Sequence, residues 1–204
     1  MRCRTRKPVS SARRVPNGGG NTARARTGRP RSGRRRSGRP RSGLALAIVL
    51  GVVVLDVLTK VWAVNELVDA PVAIIGDTVD LRLARNTGGA FSLFQAFTPL
   101  LAILAIVVAF LLVRAVRHAD DTLMLVALSL VLGGSIGNLI DRLFRSPGFM
   151  RGAVVDFVHI GSWPTFNVAD SAITIGAVLL VIWAFRADTR ERVDTPADRE
   201  SADE

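Results

Sequence analysis

Four apolar runs occupy most of the chain from residue 44 onward, and more polar segments separate them. The runs lie at about 44–64, 99–117, 122–143 and 167–186. An α-helix rises about 1.5 Å per residue, so about 20 apolar residues cross a hydrocarbon core of roughly 30 Å. The pattern therefore predicts an all-α membrane protein with four transmembrane helices.

The segment between the first two runs, about 65–98, follows a different period. Val79, Leu81 and Leu83 alternate with other residues, which is the two-residue period of a half-buried strand. The segment is also too long for a simple hairpin between helices. We therefore expect a small β-structure at one face of the membrane.

The basic residues are concentrated before the first apolar run. Residues 1–43 contain 15 basic and no acidic residues, whereas the remainder of the chain carries a net charge of −5. The sequence Gly-Arg-Pro-Arg-Ser-Gly occurs at 28–33 and again at 38–43. Such a stretch repels itself and offers few apolar groups, so we expect a disordered Arg-rich tail. The chain then divides into this tail, a membrane domain at 44–186 and a charged tail at 187–204.

The distribution of charge also predicts the orientation in the membrane. With cytoplasmic termini, the inside segments hold 21 Lys and Arg residues and the outside segments hold 5. Because positive charge stays on the cytoplasmic side, both termini should be cytoplasmic. The β-structure and the loop at 144–165 then lie on the outer face. The Arg-rich tail could fix this orientation, lie on anionic phospholipid headgroups or bind nucleic acid; the apolar run that follows favours the first two, so no nucleic-acid partner is expected.

Several polar residues lie where a bilayer should reject them. An ionised side chain near the bilayer centre costs about 2.5–3.5 kcal/mol, so such residues normally face protein or a water-filled site. Asp56 and Lys60 lie one turn apart in the first run, and the third run ends with Asn138, Asp141 and Arg142. The fourth run begins with Asn167 and Asp170, and the outer segments contain Asn86 and Asp156. All of these residues are expected at the same depth, near the outer face of the membrane, and this predicts one site. The alternative for each group is a structural polar cluster that holds helices together.

The residue types in this cluster favour carboxylate chemistry. The two histidines, His118 and His159, and the single cysteine, Cys3, form no cluster that predicts a metal site, and no Ser or Cys nucleophile has a nearby base in the sequence. Two aspartates in a partly buried site cannot both ionise cheaply, so they share one proton. The ionised one can then activate water while the protonated one polarises a carbonyl. The residues alone leave open which aspartates form the pair.

Five short stretches carry a more specific signal. They are Asp56-Val-Leu-Thr-Lys60, Asn86-Thr-Gly-Gly-Ala-Phe91, Gly133-Gly-Ser-Ile-Gly-Asn-Leu-Ile-Asp-Arg142, Val155-Asp-Phe157 and Phe166-Asn-Val-Ala-Asp-Ser-Ala172. In this order, over about 44–186, they resemble lipoprotein signal peptidase (signal peptidase II), a family of bacterial intramembrane aspartyl proteases.

The resemblance implies a role for each residue of the cluster. Asp156 and Asp170 would be the catalytic pair. Four residues would bind substrate or support the pair, namely Asn86, Asn138, Arg142 and Asn167. Asp56, Lys60 and Asp141 would be mainly supporting.

The resemblance also implies the reaction and its setting. The substrate would be a diacylglyceryl-modified prolipoprotein, cut just before its lipidated cysteine at the outer face of the inner membrane. The enzyme would contact membrane phospholipids and act as a monomer, with no metal and no organic cofactor.

Two functions of other classes compete with this reading. Intramembrane Asp and Lys also occur in transporters and ion-coupled channels, but a pathway needs polar groups at both faces, and neither these nor an inverted repeat is visible here. A non-enzymatic lipid-binding or assembly protein could use the same cluster to hold its helices together. Cleavage of a lipidated peptide would separate the protease from the assembly protein.

Overall fold

The computed structural model describes residues 38–76, 78–88 and 98–194. The predicted disorder of the Arg-rich tail up to residue 37 lies outside the described residues. The same holds for the end of the charged C-terminal tail and for most of the glycine-containing stretch that follows Asn86.

Four helices account for the four apolar runs. They are α1 (Gly38–Glu66), α2 (Thr98–His118), α3 (Thr122–Phe144) and α4 (Val168–Asp194). Each contains a stretch of at least 18 residues that is apolar enough to cross a membrane. The prediction of four membrane-spanning helices is confirmed.

Two helices are longer than the apolar runs that predicted them. The α1 helix begins at Gly38, inside the predicted tail, and α4 continues to Asp194, inside the predicted C-terminal tail. The apolar pattern marks only the part of a helix that meets hydrocarbon. A helix once formed continues into water by adding one backbone hydrogen bond per residue, so its ends are not visible in that pattern.

The central element of the bundle is α3, which packs against α1, α2 and α4. Glycines bring its backbone close to its neighbours. A Cβ atom on Gly134 would lie 2.3 Å from the carbonyl oxygen of Ala169 in α4, and one on Gly133 would lie 2.9 Å from Cβ of Val52 in α1. In a bilayer the hydrophobic effect contributes little to the association of helices. Close backbone contacts of this kind therefore contribute much of the stability of their packing.

The faces of the helices that point away from α3 are apolar and exposed. Leu58, Phe110 and Phe185 are examples from three different helices. Exposed leucine and phenylalanine would be unfavourable in water, but they match the acyl chains of a bilayer. The bundle therefore has an apolar outer surface around a partly polar interior.

Three antiparallel strands form one small sheet in the order β1 (Val72–Ile75), β2 (Val79–Asn86) and β3 (Val154–Ile160). The first two strands lie where the alternating pattern predicted β-structure. The third strand comes from the loop between α3 and α4, where no strand was predicted. Its residues Val154 to Phe157 are all buried, so the strand reads as a continuous run rather than as an alternation.

The sheet lies at one end of the bundle because of how the helices are connected. The strands β1 and β2 join α1 to α2, and β3 joins α3 to α4. At the other end, a short turn joins α2 to α3, and Asp121 begins α3 by accepting hydrogen bonds from the backbone N–H groups of Leu123 (2.8 Å) and Met124 (3.1 Å). The end that carries the sheet is also the end that carries the polar cluster.

Candidate active site

A buried ion group connects α1 to α3. The ammonium Nζ of Lys60 lies 2.7 Å from Oδ2 of Asp56 and 2.9 Å from Oδ2 of Asp141. The side chains of Lys60 and Asp56 are 0% exposed, and Asp141 is 3% exposed. A single buried charge would be costly, so the stability of this group depends on all three partners being present.

Asp56 also holds the beginning of α4. Its Oδ1 accepts a hydrogen bond of 2.9 Å from the backbone N–H of Ala169, one of the N–H groups that the first turn of a helix leaves without an internal partner. Gly137 of α3 leaves room for this contact, since a Cβ atom there would lie 2.6 Å from Oδ2 of Asp56. The carboxylate therefore joins three helices at the level of the site.

Asn167 lies directly before α4 and contacts both candidate catalytic carboxyl groups. Its Oδ1 accepts from the backbone N–H of Asp170 (2.9 Å), and its own backbone N–H donates to Oδ2 of Asp170 (3.3 Å). This reciprocal pair is a capping arrangement, which fixes the side-chain oxygen toward the helix. The amide Nδ2 then points the other way and donates to Oδ1 of Asp156 at 2.6 Å. Asn167 is fully buried and bridges the two aspartates.

Asn138 of α3 connects the ion group to Asp170. Its Nδ2 donates to Oδ1 of Asp170 at 2.8 Å, and its Oδ1 accepts from Nζ of Lys60 at 3.0 Å. The same Oδ1 accepts a longer hydrogen bond of 3.2 Å from Nδ2 of Asn167. Each carboxyl of the candidate pair thus receives a hydrogen bond from an asparagine side chain.

The environment of Asp156 changes its acidity. The residue lies in β3 opposite Ala84 of β2, and it is 3% exposed. Burial, and next the negative charge of Asp170, raise the pKa of Asp156 to about 7, although hydrogen bonds from Asn167 and Asn86 act in the opposite direction. A carboxyl with this pKa can hold a proton near neutral pH, as one member of a proton-sharing pair must.

Arg142 is a second buried cation, besides Lys60, whose charge acts on the pair. Its side chain is 8% exposed, and its positive charge acts on Asp156, Asp141 and Asp170. Its Nη1 is buried and has no hydrogen-bond partner among the residues that the structure describes. A buried donor without a partner is costly and is often a group that meets a ligand.

The amino-acid sequence matches a known family over the same region. The family model of signal peptidase II matches residues 48–186, more than half of the chain. The chain belongs to the signal peptidase II family.

Individual relatives of this family agree with the match. A lipoprotein signal peptidase of Rhodococcus jostii (strain RHA1) is 50% identical over 141 residues, which cover 68% of this chain and 71% of the relative. One of Mycobacterium avium (strain 104) is 44% identical over 163 residues, or 79% of this chain and 87% of the relative. A bacterial membrane enzyme solved by the in meso method at 2.3 Å resolution has a TM-score of 0.65 and 29% identity, covering 72% of this chain and 91% of that one.

Membership of the signal peptidase II family decides between the three function classes that the sequence left open. The chain is a multi-pass peptidase of the bacterial inner membrane, and the transporter and the non-enzymatic assembly protein are wrong readings. The structure also brings together every residue that the sequence placed in the site. These are Asp56, Lys60, Asn86, Asn138, Asp141, Arg142, Asp156, Asn167 and Asp170.

The sequence analysis missed two contacts that hold Asp141 in place. Nε of Arg145 forms an ion pair with Oδ1 of Asp141, and the backbone N–H of Val155 donates to its Oδ2 at 3.2 Å. The spacing of Arg145, four residues after Asp141 on one helix, could have indicated the first contact. No sequence signal indicated the second, because it depends on where β3 enters the bundle.

Proposed function

We propose that the protein is an aspartic endopeptidase that removes the signal peptide from diacylglyceryl-modified prolipoproteins, cutting just before the lipidated cysteine, and that Asp156 and Asp170 are its catalytic pair. The observation that carries the proposal is that Asn167 bridges these two carboxyl groups, with its side-chain Nδ2 donating to Asp156 and its backbone N–H donating to Asp170. Asp156 is also buried enough to keep a proton near neutral pH.

The chemistry follows from one proton shared by two carboxyl groups. The ionised carboxylate takes a proton from a water molecule as the water oxygen attacks the carbon of the scissile carbonyl. The protonated carboxyl gives its proton to the carbonyl oxygen, so a neutral tetrahedral intermediate forms. The carbon–nitrogen bond then breaks as a proton passes to the leaving nitrogen, and the pair returns to its shared-proton state.

Two further groups are positioned to hold the substrate backbone. The buried Nη1 of Arg142 can donate to a carbonyl oxygen of the substrate beside the pair. Asn86 lies at the end of β2, where its Oδ1 accepts from the backbone N–H of Gly88 at 3.1 Å. That contact directs its amide nitrogen elsewhere, and Asn86 is a hydrogen-bond partner of Asp156. Asp56, Lys60 and Asp141 have supporting roles, since Lys60 contacts Asn138 and Asp56 holds the beginning of α4.

The test is cleavage of a diacylglyceryl-modified prolipoprotein by purified protein in detergent. Asp156→Asn and Asp170→Asn keep the shape of the side chain but cannot share a proton, so each should lose cleavage by several orders of magnitude. Asp80→Asn is the matched control, because Asp80 lies in the same sheet but pairs with Arg82 instead. Cleavage that persists in either site variant, with thermal stability intact, would contradict the assignment.

The proposed orientation places both termini in the cytoplasm and the site near the outer face. It is supported by the excess of basic residues in the segments assigned to the inside, and by the position of the site at the end of the bundle opposite the α2–α3 turn. The test uses single-cysteine variants in which Cys3→Ser removes the native thiol and either Ser162→Cys or Thr122→Cys adds a new one. A membrane-impermeant thiol reagent, added to intact cells whose outer layers do not block it, should label Ser162→Cys and not Thr122→Cys. The reverse labelling would contradict the orientation.

The substrate is itself an apolar helix with acyl chains, so we expect it to reach the site from within the bilayer. The exposed apolar faces of the helices are suited to contact phospholipid and such a substrate. All the residues assigned to the site come from one chain, and we therefore expect a monomer to be active. Activity that falls on dilution of the detergent-solubilised protein would contradict this expectation.

A further inference from the structure

The side-chain amide of Asn138 has a defined orientation, which depends on its contact with Lys60 of α1. An asparagine amide presents an acceptor on one side and donors on the other, and the hydrogen-bond partners decide which side faces which way. One side of the Asn138 amide lies 3.0 Å from Nζ of Lys60. An ammonium group can only donate, so the oxygen must face Lys60. The nitrogen must then face Asp170, where it lies 2.8 Å from Oδ1.

Lys60 is held firmly enough to impose this orientation. It is fully buried between the carboxylates of Asp56 and Asp141, at 2.7 and 2.9 Å. These two ion pairs fix the position of the ammonium group, and its hydrogen bond to Oδ1 of Asn138 fixes the amide. If Lys60 were absent, only the longer hydrogen bond from Nδ2 of Asn167, at 3.2 Å, would still require oxygen on that side of the Asn138 amide.

The orientation of Asn138 affects the two aspartates differently. With Asn138 in place, both oxygens of Asp170 accept N–H hydrogen bonds, Oδ1 from Asn138 and Oδ2 from the backbone of Asn167. Hydrogen bonds donated to both oxygens stabilise a carboxylate more than a protonated carboxyl. Asp170 also lies in the first turn of α4, where the positive end of the helix dipole favours a carboxylate. Asp156 lies in a strand, without a helix end, and is more deeply buried.

We propose that Lys60 is a positioning residue that locks the Asn138 amide, so that Asp170 is the ionised member of the pair and the shared proton rests on Asp156. The proposal rests on the proposed function and adds the roles of the two carboxyl groups to it. The other charged groups around the pair and the ion group are Asp56, Asp141 and Arg142, so the double variant in the test keeps the net charge of the ion group constant.

The test is the pH dependence of kcat/KM for cleavage of a lipid-modified prolipoprotein. The ascending limb reports the first ionisation of the pair, which the Asn138 donor promotes. Asp56→Asn/Lys60→Met removes one charge of each sign, keeps an acceptor for the N–H of Ala169 and leaves Asp141 paired with Arg145. Asp56→Asn alone is the matched control, because it keeps Lys60.

We expect the ascending limb to move up by about one pH unit in the double variant and by much less in the control, as for loss of one hydrogen bond to a charged group. Asn138→Ala leaves the ion group intact and should move the same limb. Adding the double substitution to Asn138→Ala should then produce little further shift. If the double variant does not fold, the shift of the ascending limb in Asn138→Ala alone still tests whether the Asn138 donor promotes the first ionisation.

Three results would overturn the proposal. One is an ascending limb that stays in place in Asn138→Ala. Another is an equal shift in Asp56→Asn and the double variant, since this would make Lys60 only a structural residue. The third is full additivity of the Lys60 and Asn138 effects. Cleavage that persists in Asp170→Asn would be a different failure, because it would remove the catalytic pair itself.

Discussion

Replacing Asp156 by asparagine should make the protein more stable at alkaline pH while it abolishes cleavage. Burial and the charge of Asp170 raise the pKa of Asp156 from its ordinary value of 3.8 to about 7. The unfolded chain therefore loses this proton at lower pH than the folded protein does. The wild type consequently becomes less stable as pH rises from about 4 to about 7, and the full cost remains above that range.

The size of the effect follows from the shift in pKa. A difference of about three pH units, at about 1.36 kcal/mol per unit, gives about 4 kcal/mol as an upper bound above pH 7. For a chain of this length that bound corresponds to a rise in Tm of about 10 °C in Asp156→Asn. The true gain should be smaller, since the new amide must share its surroundings with the donors of Asn167 and Asn86.

The assay is thermal unfolding of wild type and Asp156→Asn in the same detergent, from about pH 4 to about pH 9. The two Tm curves should nearly meet at the acidic end and separate as pH rises, with the variant higher. Asp80→Asn should behave differently. The hydrogen bond from Arg82 lowers the pKa of Asp80, so this carboxylate stabilises the fold above its unfolded pKa and loses that contribution as pH falls. An Asp156→Asn curve that lies at or below wild type at every pH would show that burial of Asp156 does not destabilise the protein.

Three further changes test other parts of the account. Gly137→Ala should lower Tm by several degrees, because the new Cβ would lie 2.6 Å from Oδ2 of Asp56. Gly51→Ala is the control and should leave Tm unchanged or raise it slightly, because no atom lies within 4 Å of its new Cβ. Equal changes in Tm would contradict the close packing at Gly137. Asp56→Ala should destabilise the protein more than Asp56→Asn in thermal unfolding, because only the asparagine can still accept from the N–H of Ala169, and the reverse order would contradict the cap. In wild type, kcat/KM should fall as pH rises through about 7, where Asp156 loses its proton, and a flat profile to about pH 9 would contradict its role as the acid.

The hydrophobic pattern was sufficient to predict the membrane-spanning part of the fold. Continuous apolar runs have one stable solution in a bilayer, because the backbone must satisfy its own hydrogen bonds there. The third strand could not be predicted in the same way. Residues 154–157 are buried on both faces although they include Asp156, and a short stretch without alternation does not distinguish a strand from a helical segment.

The residues alone located the site and favoured carboxylate chemistry, but they could not select the catalytic pair of aspartates. The spacing of Asp56 and Lys60, one helical turn apart, and the polar end of α3 indicated which residues face the interior. The choice of Asp156 over Asp141 depends on contacts between elements. Asp141 is neutralised by Lys60 and Arg145, while Asp156 has only amide donors within hydrogen-bond reach among the described residues and lies near a second carboxyl. Those contacts exist only after the strand and the helices have packed.

In the proposed mechanism, two carboxyl groups share one proton, and Asp156 holds it near neutral pH. Infrared difference spectra of the purified protein, recorded as pH is raised, measure the loss of carboxylic acid groups directly. We expect a carboxylic acid band that disappears with a midpoint of about 7, is absent in Asp156→Asn, and titrates at lower pH in Asp170→Asn, where the neighbouring charge is gone. A band that persists in Asp156→Asn, or a midpoint unchanged in Asp170→Asn, would contradict the proposed mechanism.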